Sequence, residues 1–272
     1  MSILLCTYWR DGIVLSADRN ATIVFETEGD PAQYVEVGST TKVLAWPRKR
    51  ALVGYVGLGQ LAGLRIDEWM RQFIARTRDF GSIDALAQDL RELLQEDFDG
   101  DYPSGVDVGR AGAIVQLAGF KRHEGITVPV SYVISNIPGL EPGVLFSRGV
   151  YPGAERHFTV SDHIPQVMQF WEAAYPQGVR DKIVEIEETG DFLWFNAGYM
   201  YPAFNAFKGA LWDALKVLRQ RSLLPAGTPM SDQIAFSEMA VRIFGVFFEH
   251  YFLPHGRAVG GGVDTEWMLW PE

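Results

Sequence analysis

Cysteine is almost missing from this sequence. A single Cys6 among 272 residues permits no disulfide within one chain, which points to a reducing compartment rather than a disulfide-stapled scaffold. No apolar run reaches the roughly 18 residues that a membrane-spanning helix needs. No basic stretch followed by an apolar one opens the sequence, as a secretory leader would. A cytoplasmic protein that does not engage the membrane is expected. Positive charge is also scarce: 24 Lys and Arg stand against 34 Asp and Glu, for a net charge of −10. A protein that neutralises many phosphates needs a basic face, so nucleic acid is not an expected partner. Repeats, low-complexity tracts and linkers are absent as well. What is present is a globular composition, 47% hydrophobic and 21% charged, in a chain long enough to bury a large core.

The pattern along the chain alternates strands with paired helices. Residues 3–18 read as a β-hairpin, with Asp11-Gly12 supplying the positive φ angles of a tight turn. Residues 24–41 are rich in turn formers and read as an excursion around a short strand. Strands return at Lys42–Trp46 and Ala51–Val56, joined by a turn at Pro47–Arg50. Apolar residues at helical spacing predict helices over 59–78 and over 82–96, the second capped by Ser82. Further strands are expected at Ala113–Phe120, Val128–Ile134, Val144–Arg148, Phe192–Asn196 and Val263–Trp270, with helices at 164–175, 202–220 and 231–252. Two antiparallel sheets between two helical layers satisfy this order. Most strands are apolar on both faces, as expected of sheets covered on both sides.

Three local motifs have ordinary explanations. Gly57-Leu58-Gly59-Gln60-Leu61-Ala62 fits the G-x-G-x-x-A dinucleotide fingerprint, but a second helix follows where a parallel strand should come, so a plain tight turn is favoured. Asp97-Phe98-Asp99-Gly100-Asp101 resembles a calcium loop. Tyr102 and Val108 occupy the positions that need glycine and glutamate, and a solvated helix end is favoured. The five histidines (123, 157, 163, 250 and 255) form no HExxH and have no paired cysteines, so no metal site is expected. The G-x-S-x-G nucleophile elbow is missing too.

The N-terminus carries more chemistry. Residue 2 is Ser2, and initiator methionine is usually removed before a small residue. A free α-amine has a pKa of roughly 7.7–8.0 and is suited to take a proton from a hydroxyl nucleophile. The hairpin runs out and back, and so returns Asp18 beside Ser2. Lys42 opens the next strand after the excursion. A lysine beside an N-terminal hydroxyl lowers the hydroxyl pKa and shuttles its proton, and an aspartate holds the lysine charged and oriented. Gly54 can offer a backbone N–H to a developing oxyanion.

Ser2, Asp18-Arg19-Asn20-Ala21-Thr22, Lys42-Val43 and Ala51-Leu52-Val53-Gly54-Tyr55-Val56-Gly57 resemble the 20S proteasome β-subunit family, which includes bacterial ATP-dependent peptidase subunits. These are N-terminal nucleophile (Ntn) hydrolases. Ser2 to Asp18 spans sixteen residues and Lys42 to Gly54 twelve, similar to the family's spacings. Phe195-Asn196-Ala197-Gly198 and Gly260-Gly261-Gly262-Val263-Asp264 resemble its late turns. Serine stands here for the usual threonine. Ala197 stands for a second serine, and the family's acid and serine have no counterpart at Arg257-Ala258-Val259. The resemblance implies an α+β fold, the four-layer αββα Ntn sandwich, as one domain over 1–272 with an insertion at about 150–190. It implies an amide-bond hydrolase, a peptidase, with catalytic residues Ser2, Asp18, Lys42 and Gly54, acting after Met1 removal and needing no metal or organic cofactor. A homo-oligomeric ring and a peptide or amide substrate come with it, while the sequence leaves any ATPase partner open. Two other readings stay open: a non-catalytic ring or scaffold subunit, and an Ntn amidase of small molecules.

Overall fold

Apolar runs with no polar face begin the fold. Strands β1 (Ile3–Trp9) and β2 (Gly12–Asp18) pair antiparallel, with Leu4 opposite Ala17 and Tyr8 opposite Ile13, and every residue of β2 is buried. The computed structural model describes residues 3–9, 12–25, 33–123, 126–138, 153–162, 193–198, 217, 221, 230–247, 261–269 and 271. After β2 the chain forms an antiparallel ribbon, β3 (Asn20–Phe25) with β4 (Gln33–Ser39), which stands apart from the main sheets. The sequence-expected excursion is this ribbon. Strand β5 (Val43–Ala45), a 3-10 turn at Pro47–Lys49 and β6 (Ala51–Gly57) come next.

The expected helix over 59–78 begins later. Gly57 has φ 108°, and residues 58–65 form a small hairpin of β7 (Gln60–Leu61) and β8 (Leu64–Arg65). At its tip Ala62 and Gly63 take φ of 51° and 71°. Helix α1 therefore spans Ile66–Arg76. This removes the dinucleotide fingerprint, because no helix starts at its glycines and β6 pairs antiparallel with both neighbours. Helix α2 (Ile83–Asp101) starts where expected, with Ser82 Oγ accepting the Ala85 N–H at 3.2 Å, and runs through the acidic cluster. Asp97 accepts from Trp69 Nε1 at 2.6 Å and Asp101 from the Ala62 N–H at 2.6 Å. The acidic run is a helix end held by protein donors, not a calcium loop.

Strands β9 (Ala113–His123), β10 (Ile126–Ser135) and β11 (Thr159–Asp162) follow; β11 was not foreseen. Strand β12 (Leu193–Gly198), helix α3 (Met230–Phe247) and β13 (Val263–Leu269) complete the described elements. The expected strand at 144–148, the helices at 164–175 and nearly all of 202–220, and most of the 150–190 insertion lie outside the described residues.

Two sheets result, ordered β12-β1-β2-β13 and β11-β10-β9-β6-β5. Alternation along each strand decides what each face meets. Leu4, Cys6, Ile13 and Leu15 of the first sheet pack on Val43, Leu52, Ile114 and Ala118 of the second. The second sheet turns Val53, Val115, Leu117 and Ile134 the other way, onto Trp69, Met70 and Phe73 of α1 and Leu86, Leu90 and Phe98 of α2. Thr7 has the opposite parity to Cys6, and its hydroxyl meets Ser237 Oγ of α3 at 2.9 Å. Helix α3 therefore lies on the far face of the first sheet.

Candidate active site

Four chain segments converge where β2, β5 and β13 begin or end. Asp18 closes β2 and lies opposite Val263, the first residue of β13. The Arg19 N–H donates to the Gly262 carbonyl at 3.1 Å, and the Thr40 N–H to the Arg19 carbonyl at 3.0 Å. Asn20 pairs with Ser39, so the ribbon leaves and returns at one point. That closure explains how residues 24 apart in sequence, Asp18 and Lys42, come to touch.

Lys42 and Asp18 form a buried ion pair, with Nζ 3.0 Å from Oδ2 and relative exposures of 3% and 1%. Nζ also donates to the Asn20 carbonyl at 2.6 Å. The second oxygen of Asp18 accepts the Ile3 N–H at 2.7 Å, which ties the carboxylate to the peptide group that Ser2 and Ile3 share. Burial pulls the Lys42 ammonium below the ordinary lysine value, against the attraction of Asp18. Burial likewise raises the Asp18 carboxyl, against the field of Lys42 and the Ile3 N–H bond. Such a lysine sits nearer the range in which an amine can accept and return a proton.

Lys42 is fixed through its main chain as well. Its N–H donates to Asp264 Oδ2 at 2.8 Å, and its carbonyl accepts the Tyr55 N–H at 3.1 Å. Asp264 Oδ1 accepts Arg19 Nε at 2.5 Å. Asn20 is buried, and its side-chain amide has no hydrogen-bond partner among the described residues. Gly261, at φ 71°, packs so closely on it that a Cβ there would sit 2.0 Å from Asn20 Oδ1.

Of the four sequence-predicted site residues, Asp18 and Lys42 meet. Ser2 lies outside the described residues. Gly54 is placed in the middle of β6, opposite Val43 and Gln116. The Tyr55–Lys42 bond makes those two a hydrogen-bonded pair. The alternation of an antiparallel ladder then aims the Gly54 N–H at Gln116 on β9. That N–H is used within the sheet, and the oxyanion role expected of Gly54 does not fit this geometry. Gly57, the last residue of β6, has the opposite parity, and its N–H is directed away from β9, toward the side of the sheet that Lys42 enters. Cys6 is fully buried and burial pushes its thiol to about 12, which removes it as a thiolate nucleophile.

The sequence gives neither Asp264 nor Gly57 a catalytic role. Asp264 carries one usable signal: it shares strand parity with Met268, an inter-sheet core residue, and so is an acid on an inward face. Gly57 shows no such signal, because which N–H leaves the ladder depends on register. A scan against models of protein families finds no match to the chain, and a search of curated proteins finds none either.

Proposed function

We propose that the protein is an amide-bond hydrolase of the Ntn type, acting on peptides, with the described layers belonging to a four-layer αββα sandwich. The observation that carries this reading is the buried Lys42–Asp18 pair, bonded through Asp18 to the Ile3 N–H. On a chain whose mature first residue is Ser2, that pair is bonded to the residue that follows the N-terminal hydroxyl and α-amine. Ser2 Oγ attacks the substrate carbonyl carbon, and its proton passes to the neutral α-amine, while the Lys42 ammonium lowers the hydroxyl pKa. The tetrahedral oxyanion takes a backbone N–H, for which Gly57 suits the geometry better than Gly54. Collapse expels the amine, which takes up the proton, and leaves an acyl ester on Ser2. Water, deprotonated by the same base, attacks the ester, releasing the acid and restoring Ser2. Self-assembly into a ring belongs to the same proposal.

The test combines intact mass and covalent labelling of the full chain. The mass should fall short of the 272-residue value by one methionine, and a β-lactone should form one adduct, located on Ser2. Retained Met1 or an acylated Ser2 amine rules out the α-amine as base. A free Ser2 with neither adduct nor peptide turnover leaves the scaffold reading. Turnover of small amides but not peptides leaves the amidase reading.

A further inference from the structure

The ion pair explains where the Lys42 ammonium points, but not what fixes the residue that carries it. Lys42 precedes β5, so its N–H is not part of that strand's ladder. The side chain that takes this N–H comes from the other sheet. Asp264 is buried, at 6% exposure, one residue into β13 and opposite Ala17 of β2. Its carboxylate is shared between the Lys42 N–H and the guanidinium of Arg19, the residue that follows Asp18. One acid therefore joins β13, the end of β2 and the start of β5.

We infer that Asp264 is a positioning residue for Lys42: its carboxylate clamps the Lys42 main chain to the first sheet and so sets where the ammonium stands relative to Asp18. The inference rests on the hydrolase reading for its catalytic meaning. Among the described residues, the charged groups facing Lys42 include Asp18 from β2 and Asp264 from β13; Tyr55 of β6 meets the Lys42 carbonyl through its N–H, and its hydroxyl donates to the Thr41 carbonyl at 2.6 Å. Arg19, 47% exposed on its side chain, faces Asp264 instead. The Asp264 charge supports the protonated form of Lys42, in the same direction as Asp18. Removing it has two separable effects. The ammonium loses a negative neighbour, and the Lys42 N–H loses its acceptor.

The experiment uses the full chain with lysine Cε carbons labelled for NMR. It follows the Lys42 titration midpoint and, separately, the rate of β-lactone labelling at Ser2. Asp264→Ala removes both charge and acceptor. Arg19→Leu combined with Asp264→Asn removes both charges but leaves an amide oxygen free to turn to the Lys42 N–H. The midpoint should fall in both variants. Labelling should drop in Asp264→Ala by roughly a hundredfold, the scale of a 1 Å misplacement, and recover in the double variant toward the native rate. An unmoved midpoint in the folded double variant overturns the inference, whether or not Asp264→Ala folds. So does a double variant that labels as poorly as Asp264→Ala. If the native chain itself never labels at Ser2, the hydrolase reading fails, while the midpoints still decide whether Asp264 acts on Lys42.

Discussion

Lys42 is where residue-scale chemistry and stability conflict. Strand-start lysines usually keep their heads in water, and the spacing to Asp18 and Gly54 is what singled this one out. The contact with Asp18 was legible in that spacing; the depth of burial was not. A partly buried lysine would contribute modestly, but at 3% and 1% exposure the pair is fully buried. Removing one partner then strands a charge in the interior. Lys42→Ala should therefore abolish β-lactone labelling and also destabilise the fold by about 3–5 kcal/mol at neutral pH. The sign of the pH dependence follows from Asp18. Its carboxyl is already raised above the ordinary 3.8 by burial, with Lys42 opposing, and loss of Lys42 raises it further. A carboxyl raised in the folded state contributes stability that is fully present below 3.8 and is lost as pH rises through the folded value. The deficit of Lys42→Ala should thus shrink on acidification, and Lys42→Met with Asp18→Asn should show little pH dependence. Urea unfolding across a pH series reads both, and a deficit that widens toward acid pH would show that Asp18 is not the stranded charge. Lys42→Arg should also fail to label, since guanidinium cannot give up a proton near neutral pH.

Strand β6 shows what an element settles that its sequence leaves open. The run 51–56 reads plainly as a buried strand, but which peptide N–H meets which neighbour is a matter of register, fixed by pairing with β5 and β9. A spacing argument alone therefore chose Gly54. In the fold, a Cβ on Gly54 would lie 2.3 Å from Leu4 Cδ1 and 3.3 Å from Leu15 Cδ2. The glycine allows the two sheets to approach there. Gly54→Ala keeps the N–H and overfills the core, and should destabilise by about 1–3 kcal/mol. Its labelling rate at temperatures where it stays folded should match the native chain. Gly57→Ala meets backbone instead, with Gly112 O 2.1 Å from the new carbon and φ at 108°, and should lose labelling as well as stability. Urea midpoints and labelling rates of the two variants check this, and a labelling loss confined to Gly54→Ala would return the oxyanion to Gly54. The start of α1 was misread for a related reason. Leu61 and Leu64 fit a helical period but lie in the β7–β8 hairpin, whose tip places the non-glycine Ala62 at positive φ. Apolar spacing carries no sign of such a turn.

Across the whole molecule, strands apolar on both faces were the most readable feature, because a sheet covered on both sides leaves no polar stripe. Among the described residues, the second sheet packs on α1 and α2, and Thr7 of the first sheet meets Ser237 of α3. The outer surface of α3 bears on self-association. Met239 and Val246 are 43% and 55% exposed and stand seven residues apart, two turns along one helix face. Each copy carries a net charge of −10, so copies repel at long range while an apolar contact attracts only when they touch. Salt separates these effects. Between about 0.1 M and about 1 M the Debye length falls from roughly 10 Å to 3 Å, which weakens the repulsion and leaves apolar burial intact. A ring held through such faces should persist or grow as salt is raised, with light scattering at micromolar concentration giving a mass several times that of one chain. Met239→Asp combined with Val246→Asp should reduce that mass if α3 lies in the interface. A monomer at both salt levels would remove the ring from the proposal, and an oligomer that dissolves in salt would assign the contact to ion pairs instead of the α3 face.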